Sequence, residues 1–274
     1  MEAGNFRTAY SKFNEVIERN ATFKEAMEHK NTCLEEGLIT LALLPFSNGT
    51  AQNGLDKKVS AYALDALTRI GDPFLKVVDR ENMELIISEQ QLGLSGVIDE
   101  ETAVNVGNLT GAETMLTGTV LNYGTHEDKL QKTTMRGFES YRVKRTNPDT
   151  KKTYYETRYR SVNYYRFQKR ATVSVSFQYK IVSLETGEIL DSKIIERTFE
   201  DTVVYADYSG DVTTLFPERN GRVNTNKEAK RDLENLIHGR RTIKNTTELA
   251  NDLMKDVTAE LSSNVENLMG QMVK

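Results

Sequence analysis

The sequence predicts an α/β (α+β) fold: a mixed sheet with flanking helices, a long antiparallel β-hairpin and an N-terminal helical hairpin. Three observations predict it. Ala171, Val173, Val175, Phe177, Tyr179 and Ile181 alternate with Thr172, Ser174, Ser176, Gln178 and Lys180, which is the period of a half-buried strand and of no helix. The short polar stretch Leu184, Glu185, Thr186, Gly187 then leads into a second alternation at Ile189, Asp191, Lys193 and Ile195. Residues 170–199 therefore form one hairpin, with a glycine where a turn needs positive φ. Elsewhere apolar residues recur at helical spacing, as at Leu249, Leu253, Val257, Leu261, Val265, Leu268 and Met272.

The elements follow in order. Gly4, Phe6, Ala9, Phe13, Val16 and Ile17 make a first helix, and Phe23, Ala26 and Met27 open a second. This pair, residues 1–37, resembles a tetratricopeptide repeat entered halfway. A single repeat buries its apolar face only against a neighbour. Either the helices pack on the main domain, which gives a hairpin with no binding groove, or an upstream part of the chain is missing. The expectation is a truncated N-terminus, which also accounts for the absence of a signal peptide before Phe6.

The main domain is expected over residues 38–274. Leu38–Phe46 is a continuous apolar run ending near Pro45, as in a strand buried on both faces. Asp56–Ile70 is a helix with Val59, Tyr62, Ala63, Ala66, Leu67 and Ile70 along one stripe, and Phe74–Val78 is a short strand. Asp79 is placed to cap a helix over Arg80–Leu92, and Asp99, Glu100 and Glu101 begin another. Met115–Tyr123 returns as a strand. Two inserts interrupt the domain, at about 125–167 and 200–243. The first turns at Asn147, Pro148, Asp149 and Thr150. Its second arm sets Tyr155, Thr157, Tyr159, Ser161, Asn163, Tyr165 and Phe167 on an uncharged face, with Glu156, Arg158, Arg160 and Arg166 opposite. The second insert repeats that alternation from Thr202 to Phe216, then turns polar with a helical pattern over Lys227–Ile237. A C-terminal helix over 246–270 starts at a capping arrangement of Asn245 with Glu248.

The run Val173–Leu190, the strand Ile39–Phe46, and Asn108, Leu109, Thr110, Gly111 and Ala112 leading into the strand at Met115 together resemble the CsgG-like curli-secretion family. The resemblance implies subunits arranged in a ring. It also implies two hairpins per subunit, at the places of the two inserts, that build a membrane β-barrel. The arms Thr153–Phe167 and Thr202–Phe216 offer an uncharged face for that role. Their partner arms do not, because Glu139 falls on the better face of Thr133–Val143 and residues 218–243 are charged and partly helical. The family's channel carries aromatic residues in the loop after the first strand. Here Ser47–Gly54 has none, so no constriction residue is assigned.

Composition bounds the function further. The chain has 274 residues and a net charge of −4. Lys129–Arg170 alone carries thirteen Lys/Arg against three Asp/Glu, a net of +10, and the remainder therefore carries −14. No continuous apolar stretch reaches the ~18 residues of a membrane helix. The single Cys33 excludes an internal disulfide and sits in a helical pattern as a small core residue. His29, His126 and His238 are far apart, and no phosphate-binding glycine loop, nucleophile–base pair or metal-ligand spacing occurs. Neither a catalytic residue nor a cofactor or metal site is assigned.

The unusual chemistry lies in the first insert. Arg136, Arg142, Lys144, Arg145, Tyr155, Arg158, Tyr159, Arg160, Tyr165 and Arg166 are the candidate partner-binding residues. Interleaved cations and tyrosines suit an acidic protein, anionic headgroups or an anionic polymer, whereas a bare solvated hairpin would pair its tyrosines across strands. The expectation is a non-enzymatic, periplasmic scaffold at the outer membrane. It forms a homo-oligomer with envelope protein partners and reaches the membrane through an upstream lipid anchor or inserted hairpins. The alternatives are a ring-shaped secretion channel and a soluble binder of an anionic polymer. Nucleic acid is the least favoured partner.

Overall fold

A computed structural model of the chain describes residues 5–20, 23–80 and 111–273. The helices expected over Arg80–Leu92 and around Asp99 lie outside the described residues, as does Asn108–Thr110. The described residues form a mixed sheet of nine strands with five helices. They divide into two compact units, Met1–Gly124 with Ser174–Thr198 and Ala250–Lys274, and Thr125–Val173 with Phe199–Leu249. Strands β4 (Thr114–Glu127), β6 (Thr153–Ser183) and β7 (Ile189–Asp207) contribute residues to both.

In the first unit, α1 (Phe6–Arg19) begins at Asn5, whose side chain accepts from the Thr8 N–H. Helices α1 and α2 (Lys24–Gly37) are in contact. The pair also packs on its own unit. Arg7 donates both terminal nitrogens to Asp72, at 3.2 and 2.5 Å, and Tyr10 meets the Phe74 ring edge-on at 5.3 Å. Cys33 is fully buried, as its helical spacing predicts.

The buried strand β1 (Ile39–Leu43) lies parallel to β3 (Leu75–Asp79) on one side and to β4 on the other. The two-residue β2 (Ser47–Asn48) adds to β4 further along. Gly118 in β4 is required by packing, since a Cβ there would stand 2.5 Å from the Phe177 ring, which is fully buried beside Phe46. β6 follows β4 in the sheet and pairs β7. The turn between β6 and β7 uses Gly187 at φ 73°, its N–H donating to the Ser183 carbonyl. The alternation of Ala171–Ile181 is a burial alternation, each of the six named residues being at most 4 % exposed.

Helix α3 (Leu55–Thr68) buries Leu55, Val59, Ala63 and Leu67. The C-terminal helix, α5 (Thr246–Met272), extends through Gly270. Its buried row runs Leu249, Leu253, Val257, Leu261, Val265 and then Met269, and the buried Val273 follows just past its end. The expected residues Leu268 and Met272 fall off it, because a ridge of i, i+4 neighbours keeps its step of four to the end.

The second unit holds β5 (Gln131–Thr146), β8 (Leu215–Arg219), β9 (Arg222–Val223), α4 (Lys227–Ile237) and the adjoining parts of β6 and β7. Its core is Tyr164, Ala206, Leu215, Leu233 and Ile237, flanked by Met135, Val162, Tyr208 and Leu236. Helix α4 spans the range its pattern predicts, and its N-cap Asn226 accepts from Glu228 and Ala229 N–H groups. One expectation is corrected here. The strand expected from Thr202 to Phe216 stops at Asp207. Asp211 then accepts from the Thr213 N–H and hydroxyl, which closes a short 3-10 turn over Val212–Thr214 before β8. This local side-chain bond competes with the ladder and breaks the strand. In the first insert Tyr164 enters the core and Val162 packs against it, both on the face of Glu156, Arg158, Arg160 and Arg166, while Tyr155 and Tyr165 on the uncharged face are exposed.

Candidate functional site

The basic insert is an antiparallel hairpin of β5 with β6, paired without interruption from Gln131 opposite Gln168 to Thr146 opposite Thr153. Its turn is built by Asn147, whose side chain accepts from the N–H groups of Asp149 and Thr150 and whose N–H donates to Lys152 O at 2.9 Å. Lys151 takes positive φ, 54°, to close it. That turn sets the register, and the register decides which side chains share a face.

Directly opposed residues lie on one face. One face therefore carries Lys132, Arg136, Arg142 and Lys144 from β5 with Tyr155, Tyr159, Tyr165 and Phe167 from β6. We call it the open face. The other carries Arg145, Arg158, Arg160 and Arg166 together with Glu139 and Glu156. The ten candidate residues are thus divided six to four, and the hairpin brings only each group together.

The two faces differ electrostatically. On the second, Glu156 accepts from Arg145 and Arg158, each at 3.1 Å, and Arg160 reaches Glu139 at 2.7 Å. These bonds hold the Glu156 carboxyl below its ordinary pKa, Arg145 contributing most, and raise Arg160 through Glu139. Burial raises Tyr164 and Tyr208 on the same side. The open face has no carboxylate in the paired segment. Among the described residues none stands within ion-pair distance of Lys132, Arg136, Arg142 or Lys144, and each is opposed by a neutral residue: Phe167, Asn163, Thr157 and Tyr155.

The base of the open face is ordered by aromatic contacts. Lys132 Nζ lies 3.7 Å from the Tyr165 ring centroid, and Phe167 stacks on Tyr205 at 4.9 Å. Tyr159 meets Phe216 edge-on. Lys132 was not among the sequence candidates. Its signal was its even number, which places it with Arg136 on β5. Among the described residues no group of three or more His, Cys, Asp or Glu could hold a metal ion, and Asp99–Glu101 lies outside them. The loop after β1 is held by Asn48, which accepts from Thr50 N–H at 2.9 Å and donates to Gln52 O at 2.6 Å. No helix is long and apolar enough to cross a membrane among the described residues.

The sequence of residues 35–226 matches the family described as "Curli production assembly/transport component CsgG". The chain belongs to the CsgG family. The CsgG match contains β1 to β9 and ends before α4 and α5. Similar solved structures include the PelC dodecamer from Paraburkholderia phytofirmans, 11% identical, covering 82% of this chain and 89% of that one with TM-score 0.33. Lipoprotein GNA1162 from Neisseria meningitidis is 12% identical, with coverage of 72% and 92% and TM-score 0.28. The LpoB C-terminal domain from Salmonella enterica is 14% identical, with coverage of 57% and 81% and TM-score 0.26. Comparison with curated proteins gives no match.

Proposed function

We propose that the protein is a non-enzymatic assembly component of the cell envelope, a periplasmic scaffold at the outer membrane that assembles as a ring of identical subunits. The observation that carries this reading is the CsgG match over residues 35–226, a family described as assembly and transport components.

The fold of the second insert supports a scaffold over a barrel. A barrel strand needs about ten residues, whereas β8 has five, β9 has two, and the chain then enters α4. A ring channel is the second reading. The sixteen-residue β5 paired throughout with β6 favours it, being long enough to cross a bilayer. Both faces of that hairpin carry arginine at mid-length, however, and a basic side chain facing lipid at mid-depth costs about 2–4 kcal/mol.

Sedimentation velocity and negative-stain imaging in detergent-free buffer and in detergent test the proposal. Rings in plain buffer are the expected result. A monomer in both conditions overturns the ring, and a ring that needs detergent and conducts ions in a planar bilayer replaces the scaffold with the channel.

A further inference from the structure

We propose that the open face of the β5–β6 hairpin docks on an anionic lipid surface, with Lys132, Arg136, Arg142 and Lys144 against the phosphates and its tyrosines at headgroup depth. The inference goes beyond the scaffold reading and does not depend on ring formation.

The first observation is the contrast between the two sides of one hairpin. Arg145 and Arg158 share Glu156 and Arg160 pairs with Glu139, while the four cations of the open face have neutral cross-strand neighbours and no carboxylate at ion-pair distance among the described residues. Cations gathered on one surface repel one another, and an external negative charge relieves that repulsion. Lys151 and Lys152 at the turn add to the same field.

The second observation is the kind of aromatic residue shown. Tyr155 is 64% exposed, Tyr165 40% and Tyr159 36%. A tyrosine has an apolar ring and a polar tip, which suits the boundary between headgroups and acyl chains. A protein partner of ordinary size wants an apolar centre within its contact patch. The open face offers only a small one. Its two phenylalanines, Phe138 and Phe167, are partly buried, Phe138 opposite Phe216 of β8 and Phe167 stacked on Tyr205.

The third observation is shape. From Lys132 to Lys144 the strand advances on the order of 40 Å. The four cations are therefore strung along a line and do not converge on a point. A small anion can meet one of them, whereas a plane of headgroups meets all four. The competing occupant is the acidic remainder of a second copy, which by sequence carries −14.

Co-sedimentation of the full chain with phosphatidylcholine vesicles, with and without phosphatidylglycerol, tests the proposal. The expected result is binding only to the phosphatidylglycerol vesicles, falling as salt rises. Each open-face cation removed should lower partitioning roughly five-fold, so that the combined Lys132→Gln, Arg136→Gln, Arg142→Gln and Lys144→Gln variant loses it by more than about 100-fold. A charge-matched control, Arg145→Gln with Arg158→Gln, Arg160→Gln and Arg166→Gln, should retain most of it. If the four-residue variant loses its strand signal in circular dichroism, Arg142→Gln with Lys144→Gln near the exposed turn replaces it. Absence of binding at low salt, equal binding to neutral vesicles, or equal loss in the control overturns the proposal. Salt-sensitive self-association without vesicles that the open-face variant abolishes, with no vesicle binding, assigns the face to a second copy instead.

Discussion

Glu260 on α5 shows what a single side chain settles. It accepts from Lys193 at 2.5 Å and from Arg197, both on β7, and Arg197 also reaches Asp256 at 2.7 Å. These cations hold the Glu260 carboxyl below its ordinary pKa, with Lys193 the largest cause. A depressed carboxylate adds stability above its unfolded pKa, and that contribution is lost as pH falls through the folded value. Glu260→Gln should therefore lower the melting temperature most near neutral pH, and the gap to wild type should close below about pH 4. A thermal melt series across pH reads this directly, and a gap that widens in acid rejects it. None of this network was legible in the sequence, because its members are some 60 residues apart in the chain. Cys33 was legible, since a lone thiol at helical spacing is a small apolar residue.

Local chemistry made the elements legible wherever one face of each meets a core. The β6–β7 hairpin and α4 stand where their periods put them, because burial on one side is what writes the period. The start of α5 was legible for another reason. Asn245 and Glu248 exchange side-chain bonds with each other's N–H groups, at 2.8 and 3.0 Å. Asn245→Ala removes one half of that reciprocal cap and should destabilise the fold by about 1 kcal/mol in urea titration. No measurable change would mean that water caps the helix equally well. The stretch 202–216 misled for a physical reason. Its uncharged residues alternate, but Gly210 and the Asp211–Thr213 turn bring the chain out of the ladder. The division of the ten candidate residues between two faces was hidden too. It depends on the six-residue closure from Asn147 to Lys152, including the left-handed Lys151, and not on any period.

At the scale of the whole molecule, the fold class and the CsgG kinship were both visible in the central hairpin and its neighbouring motifs, while the partner was not. Net charge hides the relevant quantity, since −4 is the sum of a basic segment of +10 and an acidic remainder. A protein of this kind should be retained at about pH 7 and low salt on both anion- and cation-exchange media, because adsorption follows local fields more than the total. Loss of retention on the cation exchanger in the open-face variant checks this, and failure of the unmodified protein to adsorb there refutes it. One further consequence concerns heredity. Within β6 the core-facing positions pass from even-numbered Val162 and Tyr164 to odd-numbered Ala171 and Val173. Losing or gaining a lone codon between Tyr164 and Ala171 would turn one of those two sets inside out. Tolerated length variation among descendants of this gene should come there in pairs of residues.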